Sequence, residues 1–272
     1  MTIKNNKHLN MKTTIFLAAI ITASTTFTSC KKDTKEPAPT PAPIPEVTTG
    51  SLKVEFEPMV GTEALVMGTK TYTNAAGNTF NVTTWKYYIS NVTLTKTDNS
   101  IVTIPNSYYL VDQSTVAGSL IEVKNVPFGD YKAVSFMLGV DSTRNVSGAQ
   151  TGALDPANGM FWTWSSGYIM AKMEGTSPQS PDVANKLTFH IGGFSGVNSS
   201  LKNINIGFNT DVATVSKTAI PKAHLTSNLL EWFTTPNSVD FTTLYKVHMP
   251  GMNAKKIADN YADMFTFEHI HN

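Results

Sequence analysis

Apolar and polar residues alternate along much of the chain after residue 50, and a two-residue period marks strands with one buried face. In Ser51-Leu52-Lys53-Val54-Glu55-Phe56 the apolar Leu52, Val54 and Phe56 share one side, and Lys53 and Glu55 the other. Comparable stretches punctuated by turn residues lie near 80–95, 101–104, 108–112, 119–124, 131–138, 160–173, 186–190 and 203–209. Their spacing predicts a mostly β protein, a single β-sandwich-like domain. Val126-Pro127-Phe128-Gly129-Asp130 reads as a turn between two of these strands. Helical patterning is confined to the last third. One short helix is expected from Leu225 to Phe233, ahead of Pro236, and a second from Ala254 to Phe265 with Asn253 as its N-cap. In the second, Ile257, Tyr261, Met264 and Phe265 line one face. Thr266 to His271 then reads as extended.

The most aromatic stretch runs from Gly159 to Gly175, and in an extended chain its Trp162 and Trp164 project from one side as an indole pair. Such a pair ordinarily fills a sandwich core. The segment before it, GVDSTRNVSGAQTGALDPANG from Gly139 to Gly159, has almost no apolar periodicity. Loops of that length inside a compact domain usually serve a function or are disordered. Here both ends join apolar strands, so a folded loop packed over the indoles is expected.

The N-terminus has the pattern of an export signal. Lys4, Lys7 and Lys12 precede an apolar stretch from Ile15 to Phe27 that is too short and too rich in Thr and Ser for a membrane span. Met11, just before Lys12, is an alternative start. Phe27-Thr28-Ser29-Cys30 is similar to a bacterial lipobox, and Cys30 is the single cysteine of the chain. A lone thiol in an exported protein calls for a reason, and acylation supplies it by anchoring the chain to a membrane. Residues 1–29 are thus read as a lipoprotein signal peptide, and residues 30–50 as the lipidated Cys30 with a linker. Alternate prolines from Pro37 to Pro45 favour an extended spacer. The domain proper is expected over 51–272, in the cell envelope at the outer membrane, on either its periplasmic or its surface face.

Loss of residues 1–29 leaves 18 basic against 20 acidic residues, so the domain is near neutral and carries no nucleic-acid footprint. With Cys30 acylated, neither a disulfide nor a thiolate metal site is available. No nucleophile elbow, HExxH or P-loop occurs, and the chain is not expected to be an enzyme. Asp141, Asn145, Asp155 and Asn158 offer hard oxygen ligands, yet their spacing is not that of an EF-hand.

The histidines carry the candidate chemistry. His269 and His271 form an H-x-H pair on an extended segment, which puts both imidazoles on one face, a geometry suited to a borderline metal. His190, at the end of an apolar strand before Gly192-Gly193, is a third candidate. His248 lies beside Met249 and Met252, soft donors that are also ordinary fillers of irregular cores. His224, read as part of a polar loop, is treated as an ordinary surface residue.

Ordered motifs across the domain give it a family likeness. They are Trp85-Lys86-Tyr87-Tyr88-Ile89-Ser90-Asn91-Val92, Tyr109-Leu110-Val111-Asp112, Val126 to Tyr131, Gly139-Val140-Asp141-Ser142, and Ser147 to Pro156 running into Phe161-Trp162-Thr163-Trp164 and Ser166-Gly167-Tyr168. His190-Ile191-Gly192-Gly193-Phe194 and the segment from Met264 to His271 continue them. With these the chain resembles the MbnP-like copper-binding proteins of bacterial periplasms. The resemblance implies a copper ion held by histidines together with a kynurenine, made from a tryptophan by a dihaem partner related to the cytochrome c peroxidases. An indole nitrogen only donates, whereas the opened ring offers a lone pair. Trp162 and Trp164 are the best match for the modified position, and Trp85 the next. Two departures stand out: the four-cysteine pattern of the best-studied branch is absent, and no histidine lies two residues from a tryptophan. The expected function is copper acquisition or storage, with the ion as Cu(I), by an envelope-anchored lipoprotein. The alternative is an envelope lipoprotein that binds glycans or proteins without metal, since aromatic pairs over loops also bind sugars.

Overall fold

The computed structural model describes residue 46, residues 48–164 and residues 167–272. The expected signal peptide, the expected anchor at Cys30 and most of the proline-rich spacer lie outside the described residues. The alternation that begins at Ser51 extends two residues further back, because the first strand is Thr49–Val60. It pairs in parallel with Lys222–Asn228 on one side and antiparallel with Leu120–Pro127 on the other. Phe265–His271 joins the far side of Lys222–Asn228 and forms the edge of this smaller sheet.

The larger sheet is built around Thr79–Lys96, the longest strand, flanked by Gly129–Leu138 and Gly167–Thr176. Lys202–Gly207 and Lys186–Gly192 extend it on the two sides. The inward faces of the two sheets enclose the main core, where Leu52, Val54, Phe56, Trp85, Tyr87, Met173, Phe189, Ala223 and Leu225 are all fully buried. Phe56 is its junction. Its ring meets Tyr87 and Phe136 at 6.0 Å and Phe265 at 5.5 Å, so one side chain ties the first strand to both sheets. A second, smaller core of Tyr88, Val140, Leu154, Met160, Trp162, Tyr168, Ile169 and Met170 lies on the outward side of the larger sheet.

The loop over that second core is folded, as expected. Asp141 caps a short helix, Ser142–Val146, and the turns Gly152–Leu154 and Pro156–Asn158 follow. Asn145 stitches it down, since its side-chain amide donates to the Val140 carbonyl and its Oδ1 accepts from the Tyr168 amide at 3.0 Å.

Four expectations need correction. Residues 160–173 are not one strand but a hairpin, Phe161–Trp162 against Gly167–Thr176, which places Trp164 in the turn. The Val126–Asp130 turn shrinks to a sharp break at Gly129, whose φ of 145° lets one strand follow another almost directly. Leu225 to Asn228 is strand rather than helix, and helical geometry, of 3-10 type, begins only at Leu229. Ala223, Leu225 and Ser227 alternate inward there, so pairing with the first strand overrides local helix propensity. The final helix is Met252–Asn260, with Gly251 rather than Asn253 at its N-cap, and a 3-10 turn at Tyr261–Asp263 ends it before Phe265. Ile257, Tyr261 and Met264 are nonetheless buried as the pattern requires.

Truncating Phe56 removes the ring shared by the two sheets. Phe56→Ala should lower domain stability by about 3–5 kcal/mol, measured by urea or thermal melting of residues 49–272. A loss below about 1 kcal/mol would show that the core does not depend on this junction.

Candidate metal centre

The smaller sheet assembles a three-histidine cluster that the sequence pattern placed only in part. Cross-strand register sets Glu55, His224 and His269 side by side on adjacent strands, with Lys222 opposite His271 in the next row. Residues 53 and 55, and 222, 224 and 226, alternate outward from the core-facing Val54, Ala223 and Leu225. The edge strand would break this pattern if it were regular, because Phe265 and Phe267 face the core and strict alternation would send residues 269 and 271 inward too. A bulge prevents that. His224 pairs with His269 while Leu225 pairs with Phe267, so Glu268 is the extra residue and the strand changes phase. Ile270 then packs on the core and His269 and His271 face out.

The Nε2 atoms of His269 and His271 are 3.0 Å apart. The His224 ring stacks on His269 with centroids 4.4 Å apart and 13° between planes, and meets His271 edge-on at 4.8 Å. One nitrogen from each of the three lies within 4.8 Å of the others. Metal–imidazole bonds of about 2.0–2.1 Å would set the donor nitrogens about 3.3–3.5 Å apart, so the rings must draw together and the stacked His224 and His269 must turn out of parallel before their in-plane lone pairs meet at one ion.

The environment of His224 fits such a use. Its Nε2 is buried without a hydrogen-bond partner, one of three such side-chain atoms among the described residues. Leaving a buried polar atom unpaired ordinarily costs about 1–3 kcal/mol. Its Nδ1 lies 3.2 Å from Glu55 Oε2, which also accepts from Lys222 Nζ at 2.8 Å. Burial and then the Lys222 charge hold the His224 pKa below its ordinary value. The ring is therefore neutral at pH 7, the form that ligates. Hydrogen bonding from Lys222 in turn holds the Glu55 carboxyl below the usual range.

The other expected site residues lie elsewhere. His190 faces out from the larger sheet, opposite Lys172 in the neighbouring strand. Its Nε2 is 2.7 Å from Glu174 Oε1, and Lys172 Nζ is 3.3 Å from the same atom. Trp162 is on the outward side of that same sheet, buried in the second core with its ring against the backbone of Gly192. Trp164 contacts it at 5.5 Å between centroids, so the indole pair forms, but Trp164 stays 63% exposed. His248 is exposed at the edge of the larger sheet, where it lines an open 330 Å³ pocket with Met249 and Met252. Trp85 is enclosed in the main core beside Tyr87 and Trp232. The main core thus separates His190, Trp162 and Trp164 from the His269–His271 pair, and these residues do not form one ligand set. His224, set aside as a surface residue, takes the third place.

With the geometry in hand, comparison with known proteins places the chain. The model of the MbnP family matches residues 49–250. The chain belongs to the MbnP family. Among solved structures it is similar to MbnP from Methylosinus trichosporium, at 14% sequence identity over 72% of this chain and 80% of that one, with a TM-score of 0.50. That likeness is one of fold. No curated protein matches the chain. The family match includes Glu55 and His224 and stops short of His269 and His271.

The Glu174–His190 pair makes a separate prediction. His190, with help from Lys172 and against the effect of burial, holds the Glu174 carboxyl at about 2, below its ordinary 4.5. The folded chain therefore binds that proton more weakly than the unfolded chain. The stability this contributes is fully present above about pH 4.5 and is lost as pH falls towards 2. Thermal melts of wild type should fall more steeply through that window than those of Glu174→Gln. Equal slopes would remove this pair from the acid response.

Proposed function

We propose that this MbnP-family protein is an envelope-anchored copper-binding lipoprotein whose metal is held by His224, His269 and His271. The observation that carries the reading is the convergence of three outward imidazoles, one nitrogen of each within 4.8 Å of the others, together with a buried, unpaired Nε2 on His224. Imidazole donors suit several divalent metals, and at a given nitrogen site Cu(II) outranks Zn(II), while Cu(I) tolerates low coordination. The cluster lies on an open sheet face, with His269 and His271 exposed. An open groove of 630 Å³ lined by Leu65, Val66, Met67 and Val116 reaches Glu55 and His224. Such exposure favours acquisition and hand-over of the ion above burial for storage. Copper bound here would bring Lewis acidity and one-electron chemistry, while His224, His269 and His271 would hold it through ring nitrogens, the ring that donates between His269 and His271 moving its hydrogen from Nε2 to Nδ1.

A tryptophan-derived ligand is not part of this centre, because Trp162 and Trp164 sit on the other sheet's outward side. If a dihaem partner oxidises an indole, the exposed Trp164 is the one within its reach, and the product would mark a second place on the molecule. The same exposed indole supports a second reading, an envelope glycan-binding module with Trp164 as a stacking platform.

Titration with Cu(I), Cu(II) and Zn(II) against competing chelators separates these readings. One copper per chain is expected, and His224→Ala, His269→Ala and His271→Ala should each lower affinity by at least 10-fold, with His190→Ala and His248→Ala near wild type. Affinity unchanged in all three triad variants would reject the centre. Binding to glycan arrays that is lost in Trp164→Ala would favour the second reading. Mass measurement of peptides spanning Trp162 and Trp164, from protein made with and without the dihaem partner, reports any oxidation independently of copper.

The lipid anchor is tested separately. Detergent phase separation should carry wild type into the detergent phase and leave Cys30→Ser in the aqueous phase. Equal partitioning would reject acylation at Cys30.

A further inference from the structure

The sheet register places an acid beside one nitrogen of the imidazole whose other nitrogen is buried and unpaired. Glu55 and His224 are direct neighbours on parallel strands, and both side chains face outward. Glu55 Oε2 lies 3.2 Å from His224 Nδ1, whereas His224 Nε2, at the far corner of the ring, is buried with no partner. A carboxylate beside one imidazole nitrogen draws the proton to that nitrogen and leaves the lone pair on the other. Lys222 Nζ, 2.8 Å from the same carboxylate oxygen, keeps Glu55 ionised and anchored from two residues further along the His224 strand. His269 and His271 have no such carboxylate within ion-pair distance, and their Nε2 atoms face each other. The three rings are thus unequal, and one is fixed in advance.

We infer that Glu55 is the positioning residue of the centre, locking His224 as the Nδ1–H tautomer with Nε2 turned to a metal ion, and that Lys222 holds Glu55 in that role. The inference deepens the copper reading for its affinity arm, while its tautomer arm stands without any metal. In the absence of copper, His224 presents a ready lone pair, whereas the Nε2 atoms of His269 and His271 face each other, and the ring that donates must move its hydrogen to Nδ1 before both can bind through Nε2. His224 is therefore the first ligand to engage, and the edge-strand pair closes on the ion afterwards. Loss of an outer-shell partner of this kind typically costs about 10–100-fold in metal affinity.

The experiment uses the domain labelled with ¹⁵N-histidine, first without metal, and reads the tautomer of each ring from two-bond nitrogen–proton correlations at pH 7.5. His224 in wild type should show the Nδ1–H form. Glu55→Ala should lose that preference and bind copper about 10–100-fold more weakly. Glu55→Gln, which keeps an acceptor and removes the charge, should hold the tautomer and lose less affinity. Melting temperatures show whether each variant is folded, and the wild-type tautomer needs no variant at all. An Nε2–H tautomer in wild type overturns the assignment. So does a folded Glu55→Ala protein that binds copper like wild type while His224→Ala does not. If wild type binds no copper, the copper reading fails, and the tautomer result still decides the role of Glu55.

Discussion

The bulge at Glu268 is the constraint on which the histidine cluster depends. Strand side chains alternate strictly, so a sequence that buries Phe265 and Phe267 must also send residues 269 and 271 towards the core unless one residue is inserted. Burying two imidazoles there would leave four ring nitrogens to satisfy among Phe56, Tyr87 and Phe136. One unpaired residue in the ladder avoids this cost and turns both rings outward beside His224. The strand stays seated because both sides of the bulge are anchored. Phe265 packs on Phe56 and Phe136 before it, while Ile270 packs on the core after it and donates its amide to Asp211 at 3.1 Å.

The same logic of faces explains why the molecule has two distinct outer surfaces. Each sheet spends one face on the main core. The larger sheet then covers part of its other face with the Gly139–Gly159 segment, and this is where the tryptophan pair resides. The smaller sheet leaves its outer face bare, and polar side chains occupy it. Glu55 and His224 are neighbours only because a parallel pairing brings residues 169 positions apart in sequence (224 − 55) into one row, which the antiparallel edge strand extends to His269. A slip of one residue in that pairing would move the histidine out of line with the acid and put its apolar neighbours in water.

This distribution accounts for what could be read from the chain. Alternating strands declared themselves, and the length of Thr79–Lys96 and the folded loop over Trp162 both follow from local pattern. The H-x-H pair was legible because its spacing is local. His224 was not, for two reasons: Leu225 to Phe233 has helix-like composition, and the partner strand lies at the other end of the domain. A signal was present all the same, since Lys222, His224 and Thr226 alternate with Ala223, Leu225 and Ser227. His190 misled for the converse reason. A histidine at a strand end before two glycines suggests an approach to a ligand, yet the neighbouring strand supplies Glu174 and Lys172, and the imidazole is already partnered. No spacing rule reveals which sheet face a distant strand will present, so the tryptophans and the histidines could be placed on opposite surfaces only once the register was known.

The position of the cluster at a sheet edge would couple a bound metal to the strand. Two donors belong to the edge strand and one to its neighbour, so an ion held by all three ties that edge by bonds additional to the backbone ladder. Edge strands fray more readily than central ones, and local opening of this strand would remove two of the three donors at once. Whatever stabilises the paired strand would therefore raise metal affinity at the proposed centre, and metal at a concentration well above its dissociation constant would stabilise the paired strand in return, by mass action. The anchoring by Phe265, Ile270 and the Asn272 side chain, which donates to the Val212 carbonyl at 2.9 Å, thus contributes to the site as well as to the fold. Selection on the site would then extend to residues that never approach the ion.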